Sequence, residues 1–151
     1  MKVKIAKIGQ KIITPKVFFE VLHPFRSLEG KEVKNTNNSS IVLRLVFGNN
    51  SFLFTGDIYK SIEKEIVDRG LEIEADVLKV GHHGSKTSSA EEFLEKVSPE
   101  VAVISSGKDN TYGHPHQEVL ETLDKYGITV LRTDTEGDIK IISNGKNIEI
   151  K

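Results

Sequence analysis

Two adjacent histidines, His82 and His83, lie between Gly81 and Gly84 directly after the apolar run "DVLKV". Earlier in the chain, Asp57 closes a second apolar run, "SFLFTG". Ligands of open α/β sheets bind beyond the carboxyl ends of the strands. A right-handed crossover between the two runs therefore brings one aspartate and two histidines to the same edge. Neutral imidazole and carboxylate are the usual ligands of catalytic zinc, and paired divalent ions can orient a water and a phosphoryl oxygen together, so the set suits metal-dependent hydrolysis. Plainer readings compete. Asp57 is also a good N-cap for the helix that follows it, and a His pair between glycines is also an ordinary polar loop.

The stretch "SGKDNTYGHPH", residues 106–116, adds Ser106, Lys108, Asn110, Tyr112 and His114 ahead of a helical pattern. Donors before a helix N-terminus favour anions, although Asn110, Gly113 and Pro115 are equally at home in a turn. His114-Pro115-His116 has the form of an H-x-H metal pair, but a proline at the helix start aims the two rings differently. His114 is therefore read as a capping and phosphate-contacting residue. Lys86 and Lys108 rank below it, because most lysines are simply solvated. His23, before Pro24, reads as structural.

Apolar spacing gives the elements that must position these groups. "VFFEVLHP", residues 17–24, reads as a strand, and "MKVKIAKIGQKI" before it as strand-like. Residues 25–40 have the composition of a long surface loop. "IVLRLVF" and "SFLFTGD" flank Gly48-Asn49-Asn50 as a hairpin. Ile58, Ile62 and Ile66 before Gly70 predict an amphipathic helix. Two more helices are expected, one capped by Ser89, the other with Pro115 at its first position and Gly127 at its end. Three short apolar runs, "ADVLKVG", "EVAVISSG" and "ITVLRT", have the character of buried strands, and the tail reads as a hairpin turning at Asn144-Gly145. The order predicts one layered α/β domain over residues 1–151.

Composition narrows the chemistry. Twenty-one basic and twenty-two acidic residues give a net charge of -1, so any phosphate site is local. The chain has no cysteine, which excludes disulfides, thiolate zinc sites and cysteine nucleophiles and leaves the compartment unreadable. No apolar run is long enough to span a bilayer and no signal-peptide pattern opens the sequence, so a soluble chain without an export signal is expected.

Taken together, "SFLFTGD", "ADVLKVGHHGSKTSS", "SPEVAVISSGKDNTYGHPH" and "TDTEGDIKI" closely resemble the C-terminal half of the metallo-β-lactamase-fold domain of the ComEC-type DNA-uptake competence proteins and their free-standing relatives. The resemblance covers nearly the whole chain, most specifically residues 37–138. It implies one αβ half of a metallo-β-lactamase-like αββα sandwich, a mixed sheet with helices on one face. Asp57 then corresponds to the family's bridging aspartate. His83 is favoured as the last metal-binding histidine and His82 as a contact beside it, though the sequence leaves open which of the two is the ligand. Asn38 and Ser39 stand where the wider superfamily carries another histidine. With Ser85, Lys86, Ser106, Lys108, Asn110 and Tyr112 they form the expected substrate-binding set.

The implied cofactor is zinc or manganese, and the implied substrate is DNA or another phosphate ester. In full-length relatives the domain is attached to a membrane channel. The family's H-x-H-x-D-H string, however, does not occur here, and His23 is the single histidine before Asp57. The expectation is half of a metal site, inactive alone, with an apolar sheet face awaiting an N-terminal half or a second copy. A fragment, a split gene and a self-associating half all fit. So does a different class of protein, a non-catalytic binding or assembly module. A β-lactamase or thioester hydrolase fits "GHHGS" and "YGHP" less well.

Overall fold

The computed structural model describes residues 4–151. Its seven-stranded sheet follows sequence order. Strands β1 (Lys11–Ile13), β2 (Val17–His23), β3 (Val42–Phe47) and β4 (Asn50–Phe54) pair antiparallel. Strands β5 (Val77–Lys79), β6 (Val101–Ile104) and β7 (Thr129–Arg132) continue the sheet parallel to β4. Parallel neighbours need crossovers. Helices α1 (Lys60–Asp68), α2 (Glu91–Val97) and α3 (Gln117–Lys125) supply them. A single turn, α4 (Thr133–Glu136), follows β7, and β8 (Ile141–Ser143) with β9 (Ile148–Ile150) forms a separate hairpin. The fold is α/β with a mixed sheet.

Side-chain alternation decides which face is covered. Leu53, Leu78 and Ala102 stand side by side across β4, β5 and β6. They join Ile66, Phe93, Leu94, Val119 and Leu123 of the helices in one buried core. The alternate residues Phe52, Phe54, Val77, Lys79 and Val103 line a groove of about 410 Å³ that Ile139 and Ile141 cover in part. The C-terminal hairpin is held over this face by Ser143 Oγ donating to Asn50 Oδ1 at 2.7 Å.

Three local expectations change. Residues 4–10 are not strand: a turn at Ile8-Gly9 interrupts the ladder, which leaves β1 three residues long, and residues 1–3 lie outside the described part. Pro115 is not the first residue of α3, whose N-cap is His116. Ser89 does not cap α2 either. Its place is taken by Glu63 of α1, which is 1% exposed and accepts the N–H groups of Ser89 and Ala90 at 2.8 Å each. Two buried donors at the start of α2 are thus satisfied from a neighbouring helix.

Burial pushes the Glu63 carboxyl up to about 7, outweighing the two N–H donors that pull it down. A folded-state pKa above the unfolded value of 4.5 makes this contribution to stability full below that value and lost as pH rises through about 7. Glu63→Ala, which orphans both donors, is expected to cost about 2–4 kcal/mol. Glu63→Gln is expected to flatten the loss of stability between pH 5 and pH 8. Urea unfolding at the two pH values measures both effects, and an unchanged pH slope in the Gln variant contradicts the assignment.

Candidate functional site

The ends of β4, β5 and β6 place three loops side by side. Asp57 follows β4, the turn Gly81–Gly84 follows β5, and Ser105-Ser106 follows β6. Asp57 does not cap α1, because that helix has Tyr59 at its N-cap and the Lys60 N–H donates to the Thr87 carbonyl at 2.7 Å. The carboxylate is free to face His83, whose Nε2 lies 3.6 Å from Asp57 Oδ1.

Both histidines take left-handed backbone, with φ of 49° at His82 and 56° at His83. Such a conformation costs roughly 1–2 kcal/mol per non-glycine residue. A loop that needed only this geometry would be served at lower cost by glycine. Surrounding bonds hold the strain: His82 N–H donates to the Gly56 carbonyl and Ser85 N–H to the His82 carbonyl, each at 2.9 Å.

The two imidazoles are held differently. His83 Nδ1 lies 2.7 Å from the Ser105 carbonyl, which can only accept, so in the neutral ring Nδ1 carries the proton and the lone pair of Nε2 faces Asp57. His82 has both nitrogens engaged: Nε2 with the Asn37 amide at 3.3 Å and Nδ1 with Thr87 Oγ1 at 3.1 Å. The same Asn37 amide donates to the Tyr59 hydroxyl at 3.0 Å. His82 is a fixed wall, while His83 offers a free donor atom.

His114 gathers the cluster. Its ring centroid lies 5.7 Å from that of His82, 6.4 Å from His83 and 5.0 Å from His116. Burial, then the neighbouring imidazoles His116, His82 and His83, lower its pKa, with Asp57 opposing. At neutral pH its ring is therefore neutral. Lys79, inside the apolar groove, has its pKa lowered by burial against the pull of Asp57, and its Nζ donates to the Val80 carbonyl at 3.0 Å.

The other expected residues divide. Ser106, Asn110 and Tyr112 share a small cavity with His83 and His114. Asn110 is also the loop's brace, donating to the carbonyls of Gly107 and His114 and accepting the His114 N–H. Ser85 is buried and bonds Thr87 Oγ1 at 3.0 Å, supporting the partner of His82. Lys86 and Lys108 stand exposed on their loops. Asn38 lines a separate cavity with His23, Phe25 and Arg69, and Ser39 Oγ donates to the Thr36 carbonyl. Contacts to the site come from the residues flanking them: Asn37 reaches His82, and Ser40 Oγ accepts the Asp57 N–H at 3.1 Å. The string "TNNSS" marks the segment, but nothing in it tells which residue of the 3₁₀ turn points where. His23 is buried and holds the Ser40 carbonyl through Nδ1 at 2.8 Å.

The family model of the metallo-beta-lactamase superfamily matches residues 15–108. The chain belongs to the metallo-β-lactamase superfamily. Within it, the chain is similar to ComE operon protein 3 of Bacillus subtilis (strain 168), with 48% identity over 122 residues, 81% of this chain and 15% of that protein. It is 43% identical over 125 residues to competence protein ComA of Neisseria gonorrhoeae, covering 82% of this chain and 18% of that one. Recombination protein 2 of Haemophilus influenzae is 38% identical over 133 residues, 88% of this chain and 16% of its own length. The chain thus spans less than a fifth of each of these relatives. A solved metal-dependent hydrolase of the beta-lactamase superfamily aligns with a TM-score of 0.44 and 14% identity over 87% of this chain and 54% of that one.

The superfamily implies a divalent metal, and the chain's own donors fall short of holding one. Among the described residues no three His, Cys, Asp or Glu side chains converge on a common point. Catalytic zinc takes three protein ligands, and Asp57 with His83 makes two candidate donors.

Gly84 is the clamp between the histidine turn and the "YGHPH" loop. Its carbonyl accepts the His116 N–H at 2.9 Å, and a Cβ built on it would lie 2.6 Å from Pro115 Cβ at a φ of +77°. Gly84→Ala is expected to cost about 1–3 kcal/mol and to move the ring resonances of His83 and His114. Thermal unfolding with histidine NMR checks both, and a variant with wild-type stability and spectra contradicts the packing argument.

Proposed function

We propose that the chain is one wall of a metal-dependent phosphodiesterase centre of the competence-protein branch, and that its substrate is DNA. The free Nε2 of His83 beside the Asp57 carboxylate is the observation that carries this reading. The relatives' names, a competence protein and a recombination protein among them, favour nucleic acid as the substrate class.

The remaining ligands come from outside the chain, on a second αβ half laid over the apolar face that Phe52, Phe54, Val77 and Val103 present. Covering such a face removes apolar area from water at about 25 cal/mol per Å². Asp57 and His83 are the chain's two donors to the centre. His82, locked by Asn37 and Thr87, is a fixed contact, and His114 is a neutral donor to a phosphoryl oxygen. Lys86 and Lys108 draw the phosphate backbone towards the loops.

Two donors also suit a module that assembles without catalysing. Hydrolysis of single-stranded DNA and of bis(p-nitrophenyl) phosphate with zinc or manganese separates the two readings. The chain alone is expected to turn over neither substrate. A longer protein that carries the H-x-H-x-D-H segment ahead of this chain is expected to cleave both, and Asp57→Ala or His83→Ala in it to lose on the order of 10²–10³-fold or more. A folded longer protein without phosphodiesterase activity would leave the assembly module as the better reading.

A further inference from the structure

Beside Asp57 and His83, the structure holds a ladder of rings whose outermost member has no structural task. Tyr112 is 77% exposed, the most exposed large hydrophobic side chain among the described residues. Its ring runs nearly parallel to that of His114, at 22° and 5.8 Å between centroids, and His114 is nearly parallel to His83, at 19° and 6.4 Å. The three rings form an aromatic row from solvent to the free nitrogen of the site.

The row is preorganised. Asn110 fixes the loop that carries Tyr112 through its three hydrogen bonds to Gly107 and His114. Between the rings and the end of β6 lies a cavity of about 200 Å³, lined by His83, Ser106, Gly107, Asn110, Tyr112 and His114. The Ser106 hydroxyl oxygen is itself buried beneath this cavity, with the Asp134 carboxylate beside it. The exposed flat face of Tyr112 at the cavity suits a planar heteroaromatic ring. A bare phosphate or a sugar has no face for Tyr112.

We propose that Tyr112, stacked on His114 beside this cavity, forms a nucleobase subsite that holds one base of a single-stranded nucleic acid next to Asp57 and His83. This rests on the phosphodiester reading for its orientation towards the site, but the stacking itself does not need a phosphate. Stacking on aromatic side chains is sequence-tolerant, since every base has a π-face. The net charge of -1 gives little long-range attraction for a polyanion, so stacking carries a larger share of binding than it does in a basic protein. A duplex, with its bases already stacked and paired, cannot offer a free face without opening, and the subsite accordingly favours single strands.

The test is an NMR titration of the chain with three probes: deoxyadenosine 5′-monophosphate, deoxyadenosine, and deoxyribose 5-phosphate. The chain has three tyrosines and no tryptophan, so Tyr112→Phe assigns the Tyr112 resonances directly. The two base-bearing probes are expected to move the Tyr112 and His114 rings through ring currents, and deoxyribose 5-phosphate to leave Tyr112 in place. Tyr112→Ala is expected to bind the nucleotide at least about fivefold more weakly, while Tyr112→Phe retains it. Equal shifts of Tyr112 with the sugar phosphate, unchanged nucleotide affinity in Tyr112→Ala, or no shift with either base-bearing probe up to about 10 mM would overturn the subsite. A base-dependent shift at Tyr112 with no phosphate-dependent change at His83 would support the subsite and count against the phosphodiester reading.

Discussion

The hydrogen bond from His83 Nδ1–H to the Ser105 carbonyl is the constraint on which the site depends. It joins the loop after β5 to the end of β6, fixes the tautomer, and leaves one imidazole nitrogen bare in front of Asp57. Two successive residues in left-handed backbone are needed to aim it. The strain is tolerable because the surrounding structure over-determines the turn: Gly56, Ser85, His116 and Pro115 contact it from three directions. A carbonyl that orients the ring of a metal-binding histidine is the usual arrangement in such sites. Here the orientation is complete before any further ligand arrives.

The sheet sets the ends of β4, β5 and β6 side by side, and the turns that follow them bring Asp57 opposite His83. The same sheet leaves Phe52, Phe54, Val77 and Val103 on a face that the helices do not cover. In the proposed reading, one second half both completes the centre and covers this face.

Much of this was legible in the amino-acid order. The strand–helix alternation, the Gly48–Asn50 hairpin, the approach of Asp57 to His83, and the structural role of His23 follow from apolar periodicity, turn chemistry and the right-handed crossover. What the order hides are partners set by tertiary packing. Glu63 caps a helix distant in sequence, which no local capping rule can anticipate. Ser105 acts through its carbonyl, so its side chain carries no signal. In the 3₁₀ turn of "TNNSS", Asn37 and Ser40 rather than Asn38 and Ser39 meet the site, because orientation within one turn depends on how it docks against Gly56 and Tyr59.

The most direct measurement is the tautomer of His83, read from long-range ¹⁵N–¹H couplings in the folded chain at a pH where the ring is neutral. The account predicts a protonated Nδ1 and an unprotonated Nε2. A proton on Nε2 would contradict it, because the ring would then present a donor to Asp57 and have no lone pair for a metal at the place where the site requires one.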